Sequence, residues 1–144
     1  MPQRLLIGIV RTFQNTEEET CRLLDVTDAS LVGWCLDSGH LTYGGGDTLR
    51  MLEKYGGRVG YVHIKDVDGE ILQHALQEGW SFHNALKAFI FARLGNGIVN
   101  IPAVIQALKD YEYDGWLVVE QDTTPGDPTR VARENRIYIE GCLR

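Results

Sequence analysis

The feature of this sequence that most constrains its fold is an apolar stretch over residues 31–40 that ends abruptly in polar residues. Six residues, Leu-Val-Gly-Trp-Cys-Leu, are followed by Asp37, Ser38, Gly39 and His40. A continuous apolar run rich in β-branched and aromatic residues is typical of a strand buried on both faces, as in a parallel sheet. The carboxyl ends of such strands carry the ligand-binding groups of α/β folds. Asp37 and His40 are therefore candidate site residues.

Two later stretches, 59–66 and 116–122, repeat this plan of an apolar run that ends in polar residues. Because side chains alternate along a strand, the polar residues of all three stretches fall on the face opposite to their Leu, Val, Ile and Trp neighbours. The polar residues on these faces are Asp37, His63, Lys65 and Glu120. We expect them to converge where the strands end.

This group of side chains predicts a metal site, because its members are costly to bury alone and a divalent cation would compensate the carboxylates. We expect Asp37, His63 and Glu120 to be the ligands, a set that suits Mn²⁺, Co²⁺, Mg²⁺ or Zn²⁺. His40 is better placed to touch substrate than metal. Lys65 beside a metal would have a lowered pKa, or would stabilise a developing oxyanion.

The rest of the sequence alternates between strand and helix patterns. In chain order we predict a strand over 4–10, a helix capped by Thr16 and Glu19 to about residue 24 or 26, the 31–40 stretch, a helix over 48–55 capped by Asp47, the 59–66 strand, helical segments over 70–91 broken near Gly79, a helix from Pro102 that ends before Asp114, the 116–122 strand and a helix over 129–143. This order predicts an α/β fold with about four parallel strands and right-handed crossovers, in one domain over 1–144.

Composition excludes several classes of function. The formal net charge of −6 disfavours a nucleic-acid partner, and no apolar run reaches the roughly 20 residues that span a membrane.

Three cysteines without a CxxC pair indicate reduced thiols in a cytoplasmic protein, with Cys35 packed in a strand. His74 and His83 fall on helical segments, and we expect them to be surface or packing residues.

Four segments, 36–41, 62–67, 94–97 and 115–122, resemble the xylose isomerase-like TIM-barrel superfamily, and among its branches inosose dehydratase. The resemblance implies a (β/α)8 barrel with a divalent metal, Mn²⁺ or Co²⁺ being favoured, at the carboxyl ends of its strands. It again makes Asp37, His63 and Glu120 the metal ligands. It also implies that His40 contacts substrate, that Lys65 and His40 are catalytic, and that Asp66 lines the substrate site.

The activity implied by this resemblance is that of a metal-dependent lyase or isomerase acting on a sugar or cyclitol. In the dehydratase, water is lost after proton abstraction next to a carbonyl. Three alternatives stay open: a sugar isomerase or epimerase of the same superfamily, a catalytically incomplete half-barrel, and a flavodoxin-like binding module in which the motifs are coincidental.

Two departures from the family pattern bear on these expectations. A full barrel needs eight strands and ~250 residues, so this chain resembles only the carboxyl-terminal half. The strand before the first motif, where the family has a further metal-site residue, reads Ile7-Gly8-Ile9. Because a half-barrel has two open edges, we expect a homodimer that rebuilds a barrel, or a missing amino-terminal half.

Overall fold

The computed structural model describes residues 5–8 and 16–144 of the chain. Its elements are, in chain order, β1 (Leu5–Gly8), α1 (Glu17–Asp25), β2 (Val32–Asp37), α2 (Ser38–Tyr43), α3 (Thr48–Tyr55), a 3₁₀ turn (Gly56–Arg58), β3 (Val59–Ile64), β4 (Asp66–Val67), α4 (Gly69–Gln77), α5 (Phe82–Lys87), β5 (Phe91–Ala92), α6 (Ile101–Asp110), β6 (Leu117–Val119) and α7 (Pro128–Cys142).

Four strands form a parallel sheet in the order β1-β2-β3-β6. Helices connect each strand to the next, as crossovers between parallel strands require. Asp37 of β2 lies beside His63 of β3 in the register, and His63 lies beside Val118 of β6. The predicted α/β fold, a partial TIM barrel of about four parallel strands, is therefore confirmed.

The apolar face of the sheet forms the core together with the helices. Trp34 and Leu36 of β2 and Val62 and Ile64 of β3 are at most 1% exposed. The largest helical contributions come from α3 and α6, whose buried apolar residues are Met51, Leu52, Tyr55, Ile101, Val104, Ile105 and Leu108. The predicted alternation therefore holds, and the opposite face of each strand is left for the polar residues.

The helix starts follow the predicted capping signals. The Thr16 hydroxyl accepts a hydrogen bond from the backbone N–H of Glu19, and the Asp47 carboxylate accepts from the N–H groups of Leu49 and Arg50. Each contact satisfies N–H groups that have no partner within the helix. Pro102 lies in the first turn of α6, where its missing N–H costs nothing.

Two features differ from the prediction. A short helix, α2, follows β2 directly, although the sequence predicted only a strand end and a loop there. The 70–91 segment ends in β5, which pairs antiparallel with β4, because Phe89 adopts a left-handed backbone conformation (φ 62°) after α5. The predicted strand over 4–10 is seen as β1, and its remaining positions lie outside the described residues.

Helices α4 and α5, together with β4 and β5, belong to the connection between β3 and β6 and enclose a second apolar cluster. Its buried residues are Val67, Ala75, Ala85, Ile90 and Phe91.

Among the residues that the structure describes, no helix is both long and apolar enough to cross a membrane.

Candidate metal centre

Three strands bring one carboxylate, one imidazole and a second carboxylate together at the carboxyl edge of the sheet. The Nδ1 atom of His63 lies 3.5 Å from Oδ2 of Asp37 and 3.3 Å from Oε2 of Glu120. One ligand atom from each of the three residues lies within 4.8 Å of the others. The structure therefore brings together the three residues that the sequence predicted as metal ligands.

The two separations measured from His63 in this cluster suit ligands of one divalent cation. Two ligand atoms that each bind the same ion at about 2.0–2.2 Å lie roughly 3–4 Å apart, and the two distances from His63 Nδ1 fall in that range. The side chain of Asp37 is 6% exposed, whereas those of His63 and Glu120 are 30% and 40% exposed. The cluster is thus open to solvent on the side of His63 and Glu120.

The Asp-Ser-Gly-His motif holds the strand end and α2 against the next strand. Asp37 caps α2, because its Oδ1 accepts a hydrogen bond from the backbone N–H of His40 at 2.8 Å. The Ser38 hydroxyl donates to the carbonyl of Lys65 at 2.7 Å and accepts from its N–H at 2.9 Å. At Gly39, a Cβ would overlap with the Cβ of Lys65, so this close approach requires glycine.

Lys65 is buried beside the cluster and contacts three carboxylates. Its side chain is 1% exposed, and its Nζ lies 2.9 Å from Asp122 Oδ2, 3.2 Å from Glu120 Oε2 and 3.5 Å from Asp37 Oδ2. Burial acts to lower the pKa of Lys65, but the negative charges of Asp37, Asp122 and Glu120 outweigh it, so the pKa is raised. In this arrangement Lys65 is an ammonium, not the neutral amine that a lowered pKa would give.

His40 lies at the amino end of α2 and packs against two aromatic rings. Its ring centroid is 5.4 Å from that of Phe82 and 5.2 Å from that of Phe91. Burial lowers the pKa of His40, although the nearby Asp37 carboxylate opposes this, so the imidazole is neutral at pH 7. Its Nδ1 is buried and has no hydrogen-bond partner among the described residues.

The contacts of Asp66 favour a structural role rather than the substrate contact that we expected. Asp66 is 1% exposed. Its Oδ2 accepts hydrogen bonds from the N–H groups of Gly95 and Gly97, and its Oδ1 accepts from those of Val67 and Val99. The carboxylate thereby holds the 95–99 loop against β4. Four backbone donors leave it little capacity to bind another molecule.

Two further polar residues near the site escaped the sequence prediction. Asp122 contacts Lys65, and its place on the same face as Glu120 was the signal that could have identified it. Gln121 donates hydrogen bonds to the carbonyls of Phe91 and Thr123 and accepts one from Asn135 of α7. No local pattern links Gln121 to Asn135, which lies 14 residues further along the chain.

Three other residues considered in the sequence, His74, His83 and Cys35, are not among the candidate metal ligands. His83 is exposed, and His74 is exposed and packs against Trp80 with 4.9 Å between ring centroids. The Cys35 thiol lies on β2, half-buried, on the same face as Asp37. Burial, with smaller contributions from the Asp37 and Glu120 charges, raises its pKa to about 11, so this thiol is protonated at neutral pH.

Comparisons with known proteins place this chain in a family. The family model described as "Xylose isomerase-like TIM barrel" matches residues 5–142. An inosose dehydratase from Geobacillus thermodenitrificans (strain NG80-2) is 39% identical over 130 residues, which are 88% of this chain and 44% of that protein. An inosose dehydratase from Clostridium perfringens (strain ATCC 13124) is 37% identical over 131 residues, which are 90% of this chain and 44% of that protein.

Solved structures share the fold at lower sequence identity. The probable 3-DHS dehydratase AsbF from Bacillus anthracis matches with a TM-score of 0.67 and 18% identity, covering 95% of this chain and 49% of that one. The IOLI protein, whose structure contains a bound zinc atom, matches with a TM-score of 0.61 and 18% identity, covering 90% of this chain and 44% of that one.

These matches confirm the family that the motifs indicated and exclude the flavodoxin-like alternative. They also agree with the expectation of a partial barrel, because the chain spans less than half the length of the curated relatives it matches. The chain belongs to the xylose isomerase-like TIM barrel family.

Proposed function

We propose that this chain carries the metal-binding and substrate-binding part of a divalent-metal-dependent enzyme that acts on a small sugar or cyclitol. The observation that supports this best is the cluster of Asp37, His63 and Glu120, one from the end of each of three neighbouring strands. Asp37, Glu120, Asp122 and Lys65 together leave two negative charges when all four are ionised. A divalent cation would neutralise them.

The finer proposal is a dehydratase of the inosose dehydratase type, since the curated relatives carry that name over most of this chain. In such a reaction the carbon next to a carbonyl loses a proton, its electron pair forms a carbon–carbon double bond, and hydroxide leaves the following carbon and takes up a proton to become water. The metal, when bound, would supply positive charge to the carbonyl and hydroxyl oxygens of the substrate.

The residues of this chain have distinct parts in the proposed reaction. The Lys65 ammonium would stabilise the negative charge that develops on oxygen as the proton leaves. The neutral His40 imidazole, whose Nδ1 has no hydrogen-bond partner in the described part of the chain, would hydrogen-bond a substrate hydroxyl or take up a proton. The Phe91 ring lies beside both groups, 4.8 Å from Lys65 Nζ and 5.2 Å from the His40 ring, and would keep water away from them.

A calorimetric titration of the chain with Mn²⁺ or Co²⁺ tests the metal part of this proposal. We expect micromolar binding at one site, and its loss in Asp37→Asn and Glu120→Gln. Asparagine caps a helix as well as aspartate does, so Asp37→Asn keeps α2 capped while it removes the charge. Asp47→Asn is the matched control, because Asp47 caps α3 in the same way outside the cluster. Binding that survives in Asp37→Asn and Glu120→Gln would refute the proposed site.

A second candidate function is a half-barrel that keeps the site residues but lacks a complete metal shell. One observation favours it: Gly8 of β1 pairs with Cys35 in the register, so β1 brings no ligand side chain at that position beside β2. A chain that folds but binds none of Mn²⁺, Co²⁺, Mg²⁺ or Zn²⁺ in the titration would support this second function.

A further inference from the structure

Two cations would compete for the same oxygen atoms in the metal cluster. Oδ2 of Asp37 and Oε2 of Glu120 are the atoms nearest to His63 Nδ1, and the same two atoms lie 3.5 Å and 3.2 Å from the Lys65 ammonium. A divalent cation and an ammonium only a few ångströms apart repel each other strongly, because little solvent separates them. The position of Lys65 therefore influences how readily a metal binds.

Asp122 is the residue that can decide where Lys65 lies. Its carboxylate is the nearest of the three to Lys65 Nζ, at 2.9 Å. Asp122 does not belong to the group of metal-ligating side chains found among the described residues, which contains Asp37, His63 and Glu120. Its side chain thus contacts the competing cation without being one of the candidate metal ligands.

We propose that Asp122 is a positioning residue that holds the Lys65 ammonium at one side of the cluster and so leaves Asp37 and Glu120 available to a divalent cation. This inference rests on the proposed metal site and adds a residue that acts on the metal through Lys65. Without the Asp122 charge, the ammonium would rely on Asp37 and Glu120 alone, and the metal would have to displace it from both.

A double-mutant cycle on Mn²⁺ affinity, measured by calorimetry on the full chain, tests this proposal. Asp122→Asn should weaken Mn²⁺ binding by about fivefold or more, the lower end of typical coupling between sites. Lys65→Met should strengthen binding, because the competing cation is removed. In the Lys65→Met background, Asp122→Asn should change the affinity by less than about twofold, since no ammonium remains for Asp122 to hold.

Asp127→Asn makes the same change at the N-cap of α7 and should leave Mn²⁺ affinity unchanged. Equal weakening by Asp122→Asn with and without Lys65 would mean that Asp122 acts on the metal directly, and would overturn the proposal. An unchanged affinity in the single variant Asp122→Asn would overturn it as well.

A second measurement needs no metal and separates failure of this proposal from failure of the proposed function. In the metal-free chain, the Lys65 ammonium should give a ¹H–¹⁵N NMR signal protected from solvent exchange, which Asp122→Asn abolishes and Asp127→Asn preserves. If no variant binds Mn²⁺, the proposed function fails, and this signal alone decides the role of Asp122. A Lys65 signal that is unaltered in Asp122→Asn would refute the positioning role.

Discussion

The four backbone hydrogen bonds to Asp66 lead to a prediction that separates a structural role from a substrate-binding role. In Asp66→Asn, an NH2 group replaces one carboxylate oxygen and faces two backbone N–H donors, either those of Gly95 and Gly97 or those of Val67 and Val99. A hydrogen bond to a charged group contributes about 1.5–3 kcal/mol. Losing two such bonds should lower the free energy of unfolding by at least about 3 kcal/mol.

This loss is large beside the roughly 5–15 kcal/mol that stabilises a typical domain. Urea unfolding followed by far-UV circular dichroism, at one protein concentration for all variants, measures it. Asp68→Asn is the matched control. Asp68 caps α4 by accepting hydrogen bonds from the N–H groups of Glu70 and Ile71, a position where asparagine serves as well as aspartate.

Two outcomes would contradict this account of Asp66. If Asp66→Asn unfolds within about 1 kcal/mol of the wild-type chain, the four contacts do not stabilise the loop as their geometry indicates. If Asp66→Asn loses no more stability than Asp68→Asn, the effect belongs to the substitution and not to the site. Either result would favour the substrate-binding role that the family resemblance implies for Asp66.

Two further predictions concern the thiols and the edges of the sheet. With the pKa of Cys35 at about 11, only about one Cys35 side chain in a thousand is a thiolate at pH 8. Iodoacetamide should therefore label Cys35 far more slowly in the folded chain than in urea. Equal labelling rates, measured by peptide mass spectrometry, would contradict this prediction. The edge strands of the sheet, β1 and β6, have exposed apolar residues on or beside them, Leu6 (43%) and Trp116 (79%). The chain should therefore self-associate, and light scattering should give a molar mass above that of one chain. A folded chain whose molar mass stays that of a monomer at every concentration would refute this prediction.

Much of the fold could be predicted because this sheet is buried on one face and polar at one edge. Strands that need apolar residues on one face and polar residues at their ends leave an alternating pattern in the sequence, as at Leu36 and Asp37 or Ile64 and Lys65. The starts of α1 and α3 could also be predicted, because a capping side chain lies within three residues of the N–H group it binds. The metal cluster followed from the strand pattern and from the alignment of parallel strand ends.

The parts that could not be predicted have two causes, an ambiguous local signal at α2 and contacts between distant residues at Asp66. Asp37 is both a candidate ligand and the cap of α2, and a capping residue preceded by an apolar strand gives no sign that a helix begins at once. Asp66 binds backbone groups that lie about 30 residues further along the chain. Such partners are defined only when β4 and the 95–99 loop have packed together.

The most direct test of the central claim is a crystal structure of the chain soaked in Mn²⁺, with anomalous data collected to locate the ion. We expect one anomalous peak, bonded at about 2.0–2.4 Å to His63 Nδ1 and to a carboxylate oxygen of both Asp37 and Glu120, with Lys65 held against Asp122. A manganese ion bound elsewhere, or a cluster in which only the Lys65 ammonium contacts Asp37 and Glu120 at saturating Mn²⁺, would contradict the central claim.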